Sequence, residues 1–316
     1  MAVYTHVSAE ALAGFLARYD VGELTSAKGI AEGVENSNYM VDTTGGRFFL
    51  TLYEKRVDEG DLPFFFALLD HLSTRGLPVP RTLRDRDGAA IQTLAGRPAC
   101  LIEFLTGVSV SHPTPGQAHA VGAAMGRMHQ GMASFDGVRS NQLGVWNWRP
   151  LLDRCGTGMD AIEPGLHARV DMALERVETG WPATLPVATI HADLFPDNVL
   201  MRGNEVTGLI DFYFACTEIR AYDLAVMHSA WAFDATGTRY DAEVGRALID
   251  GYDEAFGLNA RERAALSVLA RGACIRFLLT RAWDWLNTPT DAVVTRKDPL
   301  AYLRRLDRYE AEDMFA

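Results

Sequence analysis

Near Leu105 the spacing of apolar residues along this chain changes period, and no other feature limits the possible fold as strongly. Upstream, Tyr39-Met40-Val41, Phe48-Phe49-Leu50-Thr51-Leu52 and the stretch from Pro98 to Leu105 read as strands. Thr44-Gly45-Gly46 predicts a hairpin turn between the first two, and Asp87-Gly88 predicts another, dividing Thr82-Leu83-Arg84 from Ala90-Ile91-Gln92. Two helices interrupt this β pattern: an amphipathic one around Ala9 to Tyr19, and Leu62 to Thr74, which stops at Gly76 with Pro78 just beyond. Downstream, Gln117 to Met132, Leu166 to Thr179 and most of Tyr222 to Leu286 repeat at helical spacing, with short strand-like patches only near 187–212. The expected class is therefore α+β, with a small β-rich N-lobe over 1–105 and a larger, mainly helical C-lobe over 106–316. The Gly/Ser/Thr/Pro-rich stretch from Thr106 to Pro113 joins them, and the cleft between two lobes is the default place for a ligand.

Composition narrows the function. At 316 residues and 48% hydrophobic content the chain is long enough for more than one core. Its formal charge of −11 argues against a general nucleic-acid binder, so any anionic ligand must be held locally. Cys100, Cys155, Cys216 and Cys274 are far apart and form no C-x-x-C pair, as expected of a protein in a reducing cytoplasm. Met1 to Glu10 lacks the basic and apolar regions of an export signal. The longest apolar run, Phe64 to Leu69, is far shorter than the roughly 20 residues of a span, and no membrane association is expected.

The densest polar cluster lies between two apolar patches, from Thr189 to Met201, and is followed by a turn at Arg202-Gly203-Asn204-Glu205 and then Val206 to Phe212. A loop carrying His191, Asp193 and Asn198 is thus followed by a hairpin that returns Asp211 to the side of Asn198. Taken singly, Asp193 and Asn198 are ordinary turn formers. Taken together, two carboxylates and an amide match phosphoryl transfer: one Asp deprotonates an attacking hydroxyl, while the Asn and the second Asp hold Mg2+ against nucleotide phosphates. The spacing H-x-D-x-x-x-x-N is that of the protein-kinase catalytic loop, and Ile210-Asp211-Phe212 stands where the kinase metal-binding Asp lies.

His191-Ala192-Asp193 with Asn198, then Ile210-Asp211-Phe212, then Ala221-Tyr222-Asp223-Leu224-Ala225 resemble the aminoglycoside phosphotransferase and choline kinase superfamily over nearly the whole chain. The stretch Gly29 to Tyr39 resembles, within that superfamily, the kinase-like homoserine kinases of bacteria. So do Phe49 to Glu54, Asp61 to Phe65, and Arg276 to Arg281 with Asp284-Trp285. The resemblance implies a protein-kinase-like bilobal fold and ATP-dependent, Mg2+-requiring phosphorylation of the hydroxyl of L-homoserine, on the path to threonine. It implies Asp193 as catalytic base, Asn198 and Asp211 as metal ligands, and His191 as a loop-ordering residue in the catalytic set, equally readable as a satisfied structural histidine.

For the nucleotide, Gly33, Asn36, Ser37 and Asn38 are the candidate phosphate-loop residues, although an ordinary hairpin turn would look the same. Kinases carry a lysine on the following strand; Thr51 stands in that place, with Lys55 four residues on. The strand ending Glu103-Phe104-Leu105 resembles the hinge that pairs with adenine, and its apolar residues also suit a core. His129 reads as a buried packing histidine. Arg276, Arg281, Asp284 and Tyr213 are candidates for a zwitterionic amino-acid acceptor, which needs one charge of each sign, though Arg281 and Asp284 would also suit a helix-surface pair. The competing assignments are a kinase of another small alcohol (an aminoglycoside, choline, methylthioribose or hydroxylysine), a protein Ser/Thr kinase, and a pseudokinase-like binding module suggested by Thr51. The expected assembly is a monomer or homodimer.

Overall fold

The computed structural model describes residues 5–30, 36–54, 58–288 and 296–315. The chain divides after Thr106 into two compact units. The first is built on a five-stranded antiparallel sheet of order β1-β2-β3-β5-β4: β1 Leu24–Gly29, β2 Ser37–Thr43, β3 Gly46–Leu52, β4 Gln92–Leu94 and β5 Arg97–Glu103. Along β2 the side chains of Ser37, Tyr39, Val41 and Thr43 are buried while those between are half-buried, the period of two that a sheet with one covered face requires. Val41, Leu50, Leu52 and Leu101 form one core with Leu12, Phe15 and Leu16 of α1 (Ala9–Leu16). Helix α2 (Leu62–Ser73) buries Phe65, Phe66 and Leu69, and the Phe66 ring lies 6.3 Å from Tyr53, just past β3.

The hairpin expected at Asp87-Gly88 lies elsewhere. There the Asp85 carboxylate collects the N–H groups of Asp87 and Ala89 in a local turn, and Thr82 makes only an isolated bridge to Ile102. The true hairpin joins β4 to β5 through Ala95-Gly96, both at positive φ (51° and 74°). A tight hairpin demands that geometry, and alanine is not a residue that advertises it.

The second unit carries seven helices among its described residues: α3 Pro115–Met132, α4 Val145–Cys155, α5 Leu166–Gly180, α6 Arg220–Trp231, α7 Ala242–Ala255, α8 Ala260–Asn287 and α9 Leu300–Ala311. Its strands form two antiparallel pairs, β6 (Val187–Ile190) with β9 (Cys216–Ile219) and β7 (Val199–Arg202) with β8 (Glu205–Leu209). Helices α3 and α7 meet backbone to backbone, because a Cβ on Gly122 would sit 2.0 Å from the Leu248 carbonyl oxygen and one on Gly251 2.1 Å from that of His119. This approach brings His129 of α3 against Tyr252 of α7. Helix α8 starts at a capping box between Asn259 and Glu262 and runs for 28 residues, many of them buried.

No helix among the described residues is long and apolar enough to cross a membrane. All four cysteines are free and buried.

Candidate active site

The polar cluster folds as a loop between β6 and β7, held from behind by buried groups. The Asp223 carboxylate, fully buried in the first turn of α6, accepts the backbone N–H groups of His191 (2.8 Å) and Ala192 (2.7 Å) and the Nε2–H of His129 (2.9 Å). The His129 Nδ1 in turn accepts from the Tyr252 hydroxyl at 2.8 Å. Burial alone raises the Asp223 pKa, but the His129 hydrogen bond, the two imidazoles and the His191 N–H outweigh it and hold the carboxyl below its ordinary value. Arg276, 2% exposed on α8, donates from Nη1 to the Ala192 carbonyl at 2.5 Å. These bonds hold Ala192 at φ 64°, a left-handed conformation that costs a residue with a Cβ about 1–2 kcal/mol.

His191 is wholly buried, and both of its ring nitrogens are engaged. Nδ1 accepts the N–H of Asp193 (3.3 Å) and Nε2 donates to the Ile210 carbonyl (3.0 Å), while the ring lies 4.5 Å from Phe212. Burial is the main cause that lowers its pKa, with Asp223 opposing. A neutral imidazole engaged at both nitrogens orders the loop and has no proton to exchange with a substrate. Trp231 adds a further brace, donating from Nε1 to the Leu194 carbonyl at 2.9 Å.

Past the bend, the Asn198 Nδ2 donates to the Asp193 carbonyl (2.7 Å) and reaches its carboxylate at 3.4 Å, so Oδ1 points away from Asp193. The β7–β8 hairpin returns the chain, and the Ile210 N–H donates to the Asn198 carbonyl at 3.0 Å, which sets Asp211 beside Asn198 as the spacing predicts. Asp211 is exposed and also left-handed, at φ 65°. An amide oxygen and a carboxylate form a hard-oxygen pair, and Mg2+ is commonly held by one or two protein ligands together with substrate phosphates. Among the described residues no three His, Cys, Asp or Glu side chains converge as a metal cage.

The acceptor candidates separate. Arg276 lies beneath the loop, its guanidinium 4.5 Å from the Phe277 ring centroid, and is committed to backbone where an acceptor ligand was expected. Tyr213 follows Asp211 in a short 3-10 turn and is half-buried. Arg281 and Asp284 lie further along α8, both half-buried, and burial holds the Arg281 guanidinium below its ordinary pKa, with Tyr302, Asp298 and Asp193 opposing.

The nucleotide candidates lie in the first unit, where Gly33 and Lys55 fall outside the described residues. The Asn36 Oδ1 accepts the Glu54 N–H at 3.3 Å, and Ser37 donates to the Glu54 carboxylate at 2.8 Å, which also accepts from Thr5 (2.7 Å) and pairs with Arg97 (3.2 Å). Thr51 is buried and donates to the Asn38 Oδ1 at 3.0 Å. Glu103 is tied to Arg81 through both its backbone N–H and its carboxylate, and Leu105 lies two residues past the end of β5.

Sequence reasoning passed over Asp223, His129 and Trp231 as loop braces. The available signal was an acid between Ala221-Tyr222 and the apolar run Leu224-Ala225-Val226-Met227, since a buried charge needs partners.

The sequence profile described as the phosphotransferase enzyme family matches residues 26–265. A homoserine kinase of Zymomonas mobilis is 52% identical to this chain over 98% of it and 97% of the relative. A homoserine kinase of Gluconacetobacter diazotrophicus is 53% identical over the same shares. Among solved structures, an amicoumacin kinase determined with AMP-PNP and Ca2+ aligns with TM-score 0.72 at 14% identity, covering 95% of this chain and 96% of its own. A choline kinase of Cryptosporidium parvum aligns with TM-score 0.68 at 14% identity, covering 96% and 95%. At such identities the structural likeness speaks to the fold, which is that of the protein-kinase-like phosphotransferases.

Proposed function

This chain belongs to the phosphotransferase enzyme family, and on that premise we propose that Asp193 is the base of a phosphoryl transfer whose acceptor is a small amino-acid alcohol. The enzyme phosphorylates the hydroxyl of L-homoserine with ATP, giving O-phospho-L-homoserine and ADP, a step toward threonine. This is the activity named in relatives that match it at about half identity over nearly the full length of both chains.

In the transfer, the Asp193 carboxylate takes the proton of the acceptor hydroxyl as its oxygen forms a bond to the γ-phosphorus and the bond to the β-phosphate oxygen breaks. Asn198 steadies Asp193 through Nδ2 and, with Asp211, supplies the oxygens that would hold Mg2+. A divalent ion bound there offsets the charge on the phosphates. His191 and Arg276 act on the loop backbone and not on the acceptor. Arg281 receives the acceptor carboxylate, Asp284 its ammonium, and Tyr213 lines the site next to Asp211. Asn36, Ser37 and Asn38, with Gly33, shape the phosphate loop, and the backbone of Glu103 and Leu105 meets the adenine.

The observation that carries this assignment is the Asp223 carboxylate gathering two loop N–H groups and His129. It holds the backbone immediately before Asp193 in a form the chain would not otherwise adopt. The four buried free thiols support a cytoplasmic enzyme. The test offers ATP, Mg2+ and, in turn, homoserine, choline, methylthioribose, hydroxylysine and an aminoglycoside to the purified protein and measures ADP release. Homoserine is expected to give the highest kcat/KM, and any other ranking overturns the acceptor assignment.

A further inference from the structure

Four arginines on α8 and α9, Arg271, Arg276, Arg281 and Arg305, lie buried or half-buried with no ion pair to any described residue. Three of them are taken up by backbone: Arg271 holds the Ser267 carbonyl, Arg276 that of Ala192, and Arg305 those of Ala301 and Asp234. Arg281 makes one hydrogen bond, from Nη1 to the Asp298 carbonyl at 3.1 Å, while the Asp298 carboxylate is turned to Arg304 (3.2 Å) and to the Leu300 N–H. A half-buried guanidinium whose other donors lack an acid is costly unless a ligand supplies one.

The surroundings of Arg281 close into a ring at the catalytic loop. Phe195, two residues past Asp193, packs edge-on to Phe277 with centroids 4.9 Å apart. Phe277 stacks on Tyr302 at 5.0 Å, and the Arg281 guanidinium lies 4.6 Å over the other ring of that stack. From Arg281 the bond to Asp298 leads to its neighbour Lys297, whose ammonium returns to within 6.0 Å of the Phe195 ring. Arg296, one residue earlier, is taken up by the carbonyl and ring of Trp285. Lys297 is exposed and has no hydrogen bond or ion pair to any described residue. Two cations with no ion pair to any described residue thus border the aromatic stack that begins beside the proposed base.

We propose that Lys297 is the second cation of the acceptor site and that, with Arg281, it clamps the α-carboxylate of the amino-acid alcohol. This makes Lys297 the residue that separates acceptors with a carboxylate from those without, and the inference rests on the homoserine assignment above. A carboxylate has two oxygens and accepts from two cations at once, and each such charge-assisted bond is among the stronger polar contacts.

The experiment compares L-homoserine with 3-amino-1-propanol, which keeps the hydroxyl and amine and lacks the carboxylate, in the wild-type enzyme and in K297M, K297R and R281K. In K297M, kcat/KM for homoserine should fall by about ten- to a hundredfold, mostly through KM. The preference for homoserine over 3-amino-1-propanol should shrink by the same factor, and K297R should restore most of it. Retention of the wild-type preference in K297M, to within about twofold, overturns the role of Lys297 while leaving the acceptor assignment intact. A wild-type enzyme that shows no preference for homoserine removes the acceptor assignment, and the clamp with it.

Discussion

Two acids, one in each unit, each collect three donors near the candidate site residues, and the two do different things. In the second unit, Asp223 takes two of its three bonds from backbone N–H groups and so shapes the chain next to Asp193. In the first, Glu54 takes its bonds from the side chains of Thr5, Ser37 and Arg97 and so pins side chains on a sheet already shaped by its own ladder. A carboxylate that holds backbone can force Ala192 into a left-handed turn; one that holds side chains only fixes rotamers. The loop that carries Asp193 therefore depends on long-range tertiary bonds, and the strand that follows the phosphate-loop candidates depends on local pairing.

Substitutions should break or sharpen that contrast. The largest effect is expected at the proposed base: Asp193→Asn should lower kcat by about 10²–10⁴ with little change in the unfolding midpoint, read by steady-state kinetics beside thermal melts. Asp223→Ala leaves His129 and two N–H groups unpaired in a dry site, so it should cost about 3–5 kcal/mol of stability in urea titrations and lower kcat together with it. Equal kinetic losses without destabilisation would argue against a structural hold.

Acid should act on the same unit. Burial lowers the pKa of His191 and takes that of His228 down to about 3. The unfolded chain then binds these protons near the ordinary pKa of roughly 6.5 while the folded chain refuses them. Stability is complete above that value and declines as pH falls below it, by up to ~1.4 kcal/mol per pH unit for each histidine. Urea midpoints measured between pH 7 and pH 5 should show the slope, and His228→Gln should reduce it. The smallest effect is expected in the first unit. Glu54→Gln keeps an acceptor but loses the charge facing a partly exposed Arg97, so it should cost about 1 kcal/mol and raise KM for ATP more than it lowers kcat.

The loop and hairpin that carry the proposed catalytic residues were legible because their parts are close in sequence. His191, Asp193 and Asn198 occupy one loop, and a hairpin with an evident turn returns Asp211, so spacing alone carried their geometry. The period change near Leu105 likewise exposed the α+β architecture. The Ala95-Gly96 hairpin escaped because its first residue adopts a conformation its side chain disfavours. Arg276 was recognised as important but expected at the acceptor, because helical spacing says which residues share a face and not what that face meets. The brace formed by His129, Tyr252 and Asp223 joins α3, α7 and α6, with sequence separations of 94 and 123 residues.

By itself, then, the sequence determined which groups are the candidates for the chemistry, since a base and two hard-oxygen ligands must be particular residue types at short, regular spacing. Tertiary structure alone decided how that loop is held. It set Asp223 behind His191 and Ala192, committed Arg276 to a carbonyl, and left Arg281 and Lys297 with no ion pair to any described residue. The physical reason is that burial and partnership depend on which helices pack together, here through contacts as specific as Gly122 on Leu248, and local spacing carries no information about them.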